Sequence, residues 1–410
     1  MHHIDIVTLG LLLFVACLVA IISRRIGLPY AVGLVAAGIG LSLVGYHSRI
    51  ELTPELIFTF LLPPLVFEAA LHLGWRQFRR EAPLVLSMAF VGTLLSAAVV
   101  AGGMHWLAGW GWPASMLFGS LIAATDPVSV IAMMKEQKAE PRLRFLMESE
   151  SLVNDGAAAV LFGLVAAWIA GQGTGTGAVA LSLLTTVGGG VLCGLVVAGG
   201  LLLIAGRSDD HLVEITLTML AAYGSFLIAE KFEVSGVLAT LSAGMLVGNW
   251  GRGRDLTEHG SESMIRFWDF AAFLANSIVF LLIGSREAQQ PIGDYAMPAL
   301  VGTLIVLAGR AVAIYPITRL FARSALAVDR MTQHVLFWGG LRGALALALA
   351  LASPVELAEH DQLIGVAFAV VAFSIFVQGL TVPHLLRRVE QGKPQHSTTL
   401  TASPPSDVSL

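Results

Sequence analysis

Residues 143–170 read LRFLMESESLVNDGAAAVLFGLVAAWIA, a segment long and apolar enough to form a membrane-spanning helix. Crossing the hydrocarbon core of a bilayer takes about 20 predominantly apolar residues. Glu150 and Asp155 nevertheless lie inside this segment, and each charge at a helix centre costs roughly 2.5–3.5 kcal/mol on insertion scales. A spanning segment that keeps such charges predicts a membrane protein whose ionisable groups face one another or water.

The composition of the whole chain supports the same class of protein. Of its 410 residues, 56% are hydrophobic and 13% are charged, whereas a soluble domain averages about 25% charged residues. The net charge of −4 gives no indication of a nucleic-acid partner. Cys17 and Cys193 lie in separate apolar runs and are interpreted as reduced packing residues. No Ser/His or metal-binding constellation predicts an intramembrane enzyme, and no cofactor is expected.

Apolar runs of spanning length recur along the chain and predict an all-α polytopic protein with about 13 transmembrane helices. The first run is interpreted as a span rather than a signal peptide, because no Lys or Arg precedes it. The membrane transport domain is predicted to cover 1–385, and the polar segment 386–410 to be a short disordered cytoplasmic tail. The predicted spans are 4–22, 28–45, 54–73, 84–108, 113–134, 143–170, 177–205, 211–229, 232–249, 264–284, 295–321, 331–353 and 361–385.

Basic residues fall on one side of this arrangement. The connections after odd-numbered spans and the tail carry Arg24, Arg25, Arg76, Arg79, Arg80, Lys135, Lys138, Arg142, Arg144, Arg207, Arg252, Arg254, Arg323, Arg387, Arg388 and Lys393. The other side carries Arg49, Lys231 and Arg286. Because Lys and Arg are enriched in cytoplasmic loops, we expect the N-terminus outside and the C-terminus inside, in a plasma (inner) membrane.

The span count permits an inverted repeat of the kind found in NhaA. If the seventh span is a linker, spans 1–6 and 8–13 form two six-helix halves of opposite orientation. The fifth and twelfth spans then correspond, and both carry helix-breaking residues: Thr125-Asp126-Pro127 in one and Gly339-Gly340-Leu341-Arg342-Gly343 in the other. Interrupted helices at matching positions of two halves are the best sequence indication of a transporter's binding site.

Six ionisable residues fall well inside the spans, near the middle of the bilayer: Glu68, Asp126, Glu150, Asp155, Arg310 and Arg342. Asp155, for example, follows Leu143 by twelve residues, roughly 18 Å along a helix at about 1.5 Å per residue. Ser151 and Asp155 are four apart and share a helix face, whereas Glu150 points elsewhere. We therefore expect Asp155 and Ser151 to face the ion, and Glu150 to face an arginine.

The first break is expected to supply further oxygen ligands. Proline at 127 cannot continue the helical hydrogen bonds, which frees backbone carbonyls beside Thr125 and Asp126. Carboxylate, hydroxyl and carbonyl oxygens suit hard cations such as Na⁺ or Li⁺. The competing interpretation is a set of structural ion pairs, which is favoured for Glu150, Arg310 and Arg342. Asp126 could ligate the ion or neutralise an arginine.

Ionisable residues near the ends of the spans, among them Glu214, Arg266 and several histidines, are interpreted as ordinary interfacial groups. Asp269 lies near the expected cytoplasmic interface and is interpreted as an interfacial charge. His72 lies at the end of a span, where a wetted or packing histidine is the default.

Four motifs, in order from the third span to the twelfth, carry a family likeness. They are LPPLVFE at 62–68, TDPV at 125–128, ESLVNDG at 150–156 and GLRGA at 340–344. In these motifs the chain resembles the bacterial NhaP-type antiporters and mammalian NHE exchangers, which are monovalent cation:proton antiporters. The resemblance implies a six-helix core bundle that moves against a dimer-forming domain, and hence a homodimer in the lipid bilayer.

The resemblance also implies residue roles. Asp155 matches the family's ion- and proton-binding aspartate and Asn154 its neighbour. Ser151, Thr125 and Glu68 match positions around the ion. Glu150 and Arg310 match a structural pair, and Asp126 and Arg342 match residues of the two broken helices. An Asn-Asp pair, where electrogenic relatives have two aspartates, implies electroneutral one-for-one exchange. The tail is too short for the regulatory domain of longer members.

The sequence thus predicts a secondary antiporter that exchanges Na⁺ or Li⁺ for H⁺, with cation and proton competing for a midplane aspartate. A K⁺/H⁺ antiporter with the same residues is the alternative, because selectivity depends on a cavity size that the sequence does not give. A cation channel or ion sensor fits less well, since a channel does not need midplane acids balanced by buried arginines.

Overall fold

A computed structural model describes residues 6–45, 50, 52–126, 128–137, 139–171, 176–206, 210–251, 257–288 and 292–391. Throughout these ranges the regular structure is helical, with no strand. The α-helices are α1 (Ile6–Ile26), α2 (Tyr30–Leu43), α3 (Leu62–His72), α4 (Trp75–Leu86), α5 (Thr93–Leu107), α6 (Trp112–Ile122), α7 (Val128–Glu136), α8 (Pro141–Ile169), α9 (Thr176–Ala205), α10 (His211–Lys231), α11 (Gly236–Leu246), α12 (Glu258–Glu287), α13 (Ile292–Leu320), α14 (Arg330–Trp338), α15 (Ala344–Leu351), α16 (His360–Phe373) and α17 (Gly379–Gln391).

These helices overlap each of the predicted spans, and the all-α membrane fold is confirmed. Eight of the described helical segments are by themselves long and apolar enough to cross a membrane. The number of thirteen spans and the inverted repeat remain predictions. At the end of the chain, α17 continues past residue 385 to Gln391, and residues 392–410 lie outside the described ranges.

The predicted interruptions of the fifth and twelfth spans are present. The fifth span consists of α6, which ends at Ile122, and α7, which begins at Val128. The twelfth consists of α14, which ends at Trp338, and α15, which begins at Ala344. Pro127, to which the sequence argument assigned the first break, lies outside the described residues.

Four π-helical stretches continue or precede α-helices, at Leu56–Leu61, Ser87–Gly92, Val247–Gly251 and Ser374–Gln378. The first leads directly into Pro63 and Pro64 at the start of α3. Since proline donates no backbone hydrogen bond, the carbonyls of the preceding turn must find other donors, and a wider helical turn is one way to do so.

Small residues let some helices approach closely. Gly38 of α2 faces Leu281 and Gly284 of α12, and Gly284 in turn faces the backbone of Val35. A Cβ atom at either glycine would overlap a carbonyl oxygen of the other helix. Such contacts between small residues are a main source of helix association in membranes, where the hydrophobic effect contributes little between helices. They hold α12, which carries one wall of the site described below, against α2.

Helix α8 lies at the centre of the fold and is in contact with α4, α6, α9 and α11. Its middle turns are buried, including Glu150, Ser151 and Asn154. The helix begins at Pro141, where the ring fits the first turn because no intrahelical N–H bond is needed there. Its polar residues therefore reach the interior of the protein, where the two broken helices meet.

The orientation predicted from the basic residues leads to a labelling test. Glu140 precedes α8 and Glu356 lies between α15 and α16, and both side chains are exposed. In a background with Cys17→Ser and Cys193→Ser, we expect Glu356→Cys to react with a membrane-impermeant maleimide in intact cells. Glu140→Cys should react only after the membrane is opened. Reaction of Glu140→Cys from outside would contradict the orientation.

Candidate functional site

The two helix breaks meet and satisfy each other's backbone groups. The N–H of Asp126 donates to the carbonyl of Leu341 at 2.8 Å. Arg342, 2% exposed, donates from Nη1 to the carbonyls of Ala123 and Ala124, both at 2.9 Å. These carbonyls belong to the C-terminal end of α6, which carries partial negative charge. The end of a helix therefore partly balances the positive charge of Arg342.

Asp126 lies two residues before α7 begins at Val128. Its Oδ1 accepts from the N–H of Val128 at 3.1 Å, and its carboxylate packs against Gly343, where a Cβ atom would overlap Oδ2. Gly343 immediately precedes α15, so the carboxylate lies at the positive end of that helix dipole. Across the described residues no ion pair within 4 Å joins Asp126 to an arginine. A helix end, not an arginine, compensates this acid.

A bidentate ion pair ties α8 to α13. Arg310 donates from Nη1 to Glu150 Oε1 at 2.7 Å and from Nη2 to Oε2 at 3.0 Å. Its Nη2 also donates to the carbonyl of Leu336 in α14 at 2.9 Å. Both side chains are almost fully buried, at 5% and 1% exposure. The pair thus connects α8 and α13 to the helix that leads into the second break.

Thr125 links the first break to α8. Ser151 Oγ donates to the carbonyl of Thr125, and Asn154 Nδ2 lies 3.4 Å from Thr125 Oγ1 and 3.2 Å from Glu150 Oε1. The carbonyls expected to be freed by the break are thus already bonded, two to Arg342 and one to Ser151. A carbonyl oxygen has two lone pairs, so that of Thr125 can still accept a cation.

A cavity of about 320 Å³ lies against these residues, between α3, α8, α12 and the two breaks. Five of the predicted site residues line it: Glu68, Thr125, Asp126, Ser151 and Asp155. Asn154, Glu150, Arg310 and Arg342 lie behind this wall and do not line the cavity. Asn154 faces Thr125 and Glu150 because neighbouring helical residues are turned by about 100° from each other.

Asp155 has the least compensated carboxylate in this group. Its Oδ1 is buried and has no hydrogen-bond partner, and no ion pair within 4 Å reaches it from the described residues. Glu150 is paired with Arg310, and Asp126 lies at the positively charged start of α15. A buried carboxylate oxygen without a hydrogen-bond partner is costly, so Asp155 is stabilised by a proton or a cation. The oxygens of Ser151, Thr125, Asp126 and Glu68 around the same cavity suit a small hard cation.

One end of the cavity leads to an exposed cluster. His72 Nε2 lies 3.3 Å from Glu68 Oε1 and 3.4 Å from Asp269 Oδ1. Side-chain exposure falls from 54% at Asp269 to 23% at Glu68, while Ser151 is 2% exposed. The cavity is therefore more exposed at Asp269 and Glu68 than at Ser151. The C-terminal end of α3, where this cluster lies, is on the side predicted to be cytoplasmic.

The α12 wall of the cavity was not predicted from the sequence. The lining residues of this helix are Asp269, Ala272, Phe273, Asn276 and Phe280. They recur at intervals of three and four residues, as one face of a helix does, and this spacing was a usable signal. Asp269, interpreted from the sequence as an interfacial charge, belongs to this wall. Ser129 of α7 also lines the cavity and was not singled out.

The chain is similar in sequence to known sodium/proton antiporters. Residues 11–388 match the family model described as "Sodium/hydrogen exchanger, transmembrane". The Na⁺/H⁺ antiporter ApNhaP of Aphanothece halophytica is 36% identical, over 94% of this chain and 74% of the relative. The low-affinity Na⁺/H⁺ antiporter NhaS1 of a Synechocystis strain is 36% identical, over 90% of this chain and 71% of the relative.

A solved structure has the same architecture. The chain aligns with the structure of the sodium proton antiporter MjNhaP1 from Methanocaldococcus jannaschii at pH 8 with a TM-score of 0.76. The alignment covers 95% of this chain and 99% of that one, at 19% sequence identity. At this level of identity the likeness shows a shared fold.

Proposed function

The chain belongs to the sodium/hydrogen exchanger family, which consists of membrane transporters rather than enzymes, and on that premise we propose that it exchanges Na⁺ for H⁺ one for one through Asp155. The observation that carries the proposal is the buried, unpartnered Oδ1 of Asp155 in a cavity shared with other oxygen ligands. The names of the antiporters to which the chain is similar support the choice of ions.

In the proposed cycle, Asp155 binds one cation or one proton at a time. A cation would be held by its carboxylate, the hydroxyl of Ser151 and the carbonyl of Thr125, with Asp126 and Glu68 lining the same cavity. A proton instead neutralises the carboxylate and displaces the cation. If only the neutralised site changes the side to which it opens, each cation that crosses is coupled to one proton in the opposite direction.

The remaining charges act as scaffold in this proposal. The Glu150–Arg310 pair holds α8 to α13 and α14, and Arg342 holds the two breaks together. Asn154 is a positioning residue, because its amide joins Thr125 to Glu150 behind the cavity wall. Asp155 can thus exchange a bound cation for a proton while the neighbouring side chains keep their positions. The homodimer implied by the family resemblance stays a prediction.

Competition between protons and Na⁺ is the direct test of a shared site. In proteoliposomes with an imposed pH gradient, added Na⁺ should collapse the gradient. Lowering the pH should raise the apparent KM for Na⁺, by roughly tenfold per pH unit once protons occupy most of the sites, because binding of the two ligands is linked. The maximal rate at saturating Na⁺ should change less. A KM for Na⁺ that does not depend on pH would contradict a shared carboxylate.

The same preparation tests the cation and the stoichiometry. Li⁺ and K⁺ are added in place of Na⁺, and a response to K⁺ alone would identify the K⁺/H⁺ alternative. One-for-one exchange moves no net charge, so an imposed membrane potential should leave the rate unchanged. A rate that follows the potential would contradict the stoichiometry but not the site. Cation flux without proton counterflow would indicate a channel.

A further inference from the structure

The cluster of Glu68, His72 and Asp269 adds an imidazole and a second carboxylate, which the exchange cycle does not use, to a glutamate that lines the cavity. Two carboxylates and one imidazole have donor atoms that all lie within 4.8 Å of one another. Glu68 and His72 are one turn apart on α3, and Asp269 comes from α12. Imidazole is a ligand that favours zinc-type metals, whereas Na⁺, Mg²⁺ and Ca²⁺ prefer oxygen alone. His72 therefore distinguishes this cluster chemically from the oxygen-lined cavity beside it.

The spacing of the donor atoms fits a four-coordinate metal ion. His72 Nε2 lies 3.3 Å from Glu68 Oε1 and 3.4 Å from Asp269 Oδ1. With metal–ligand bonds of about 2.0–2.1 Å, neighbouring corners of a tetrahedron are roughly 3.3–3.4 Å apart. Only the separation between the two carboxylates needs to adjust. Three protein ligands leave the fourth corner for water, the arrangement of an open zinc site.

Packing around the cluster holds its two helices in register. Phe67 and Trp268, which precede Glu68 and Asp269 in the chain, have ring centroids 4.5 Å apart. Immediately after His72, the carbonyl of Leu73 accepts from Asn249 Nδ2 at 2.8 Å, and Asn249 Oδ1 accepts from the N–H of Trp75 at 2.7 Å. The backbone that carries the three ligands is thus fixed from both sides. A metal ion would have little ordering entropy to offset.

We propose that Glu68, His72 and Asp269 bind a zinc-type divalent metal ion, which blocks the adjacent end of the cavity. Glu68 belongs to the cluster and to the lining of the cavity. A divalent ion on Glu68 would therefore remove one oxygen from the cation pathway and place a positive charge at its entrance. The ion inhibits exchange rather than taking part in it. The inhibition rests on the proposed function, whereas the binding does not.

Binding is tested with Co²⁺, which reports its own coordination by visible absorption and takes the same ligands as zinc. The probe is titrated into purified full-length protein with the affinity tag removed and with Cys17→Ser and Cys193→Ser. We expect one Co²⁺ per chain with low-symmetry absorption bands, and loss of those bands when Zn²⁺ is added. His72→Gln and Asp269→Asn should each weaken binding by at least about tenfold, since loss of an outer-shell partner alone costs 10–100-fold.

The matched control is His211→Gln, an exposed histidine outside the cluster, which should bind Co²⁺ as the wild type does. Mg²⁺ and Ca²⁺ should not displace Co²⁺. Binding by His72→Gln as tight as that of the wild type, with the same spectrum, would overturn the site. Failure of the wild type to bind Co²⁺ would overturn it as well.

Inhibition is measured separately, in vesicles with the predicted cytoplasmic face outward. Micromolar Zn²⁺ should lower the Na⁺-dependent collapse of the pH gradient in the wild type and in His211→Gln, but not in His72→Gln. Inhibition that persists in His72→Gln would overturn the blocking role. If the wild type shows no exchange at all, the proposed function fails, and the Co²⁺ titration still decides whether the metal site exists.

Discussion

Asp155→Asn protein should insert into the membrane and fold, yet show no cation-driven proton exchange. The substitution keeps the size of the side chain and removes both its charge and its titratable proton. Oδ1 of Asp155 is the buried carboxylate oxygen without a partner at the cavity, so its loss removes the group for which cation and proton compete. Because an isolated buried charge is costly, the variant should unfold at the same temperature as the wild type or higher.

The measurement is Na⁺-dependent collapse of a pH gradient in proteoliposomes, with thermal unfolding of the same preparations. Asp269→Asn is the matched control, because it makes the same change in the same cavity but at the exposed end. It should retain exchange. Substantial exchange by Asp155→Asn would remove this residue from the centre of the mechanism. Loss of exchange in both variants would mean that the whole acidic cavity, not one carboxylate, carries the ion.

Much of the fold could be predicted from the sequence because membrane insertion imposes strong local rules. A spanning helix must satisfy its backbone internally, so apolar length alone predicted a helix at each place where the structure has one, although the fourth begins at Trp75 and not near residue 84. The second break was predictable too, since Gly339, Gly340 and Gly343 provide weak helix formers in one turn. The groups that this second break contacts were not predictable. Arg342 reaches carbonyls 218 and 219 residues earlier in the chain, and no local pattern encodes that contact.

In the candidate site too, local features could be predicted from the sequence and contacts between helices could not. Depth along a helix and the angle between side chains are local properties, so the sequence placed Asp155 and Ser151 on one face and Glu150 on another. Contacts between helices are not local. The position of Asp269 beside His72 depends on how α12 packs against α3, whereas the sequence shows only how far Asp269 lies from the end of a span. The compensation of Asp126 by the start of α15, rather than by an arginine, was hidden for the same reason.

Glu150→Ala should lower the free energy of unfolding by about 3–5 kcal/mol, because it leaves the buried guanidinium of Arg310 without its counter-charge. Arg310→Ala should cost a similar amount by leaving Glu150 unpaired. The double variant should be little less stable than either single variant. The second substitution removes the buried charge that the first one left without a partner. Apparent melting temperatures of the purified proteins in one detergent give the ordering.

Glu262 and Arg266 supply the matched control for this cycle. They form an i,i+4 ion pair on α12 whose side chains are 62% and 76% exposed. An exposed pair of this kind contributes about 0.3–0.5 kcal/mol, so Glu262→Ala should barely change the melting temperature. The contrast isolates burial, because both pairs join one glutamate to one arginine. Additive losses from Glu150→Ala and Arg310→Ala would argue that the two side chains do not interact in the folded protein.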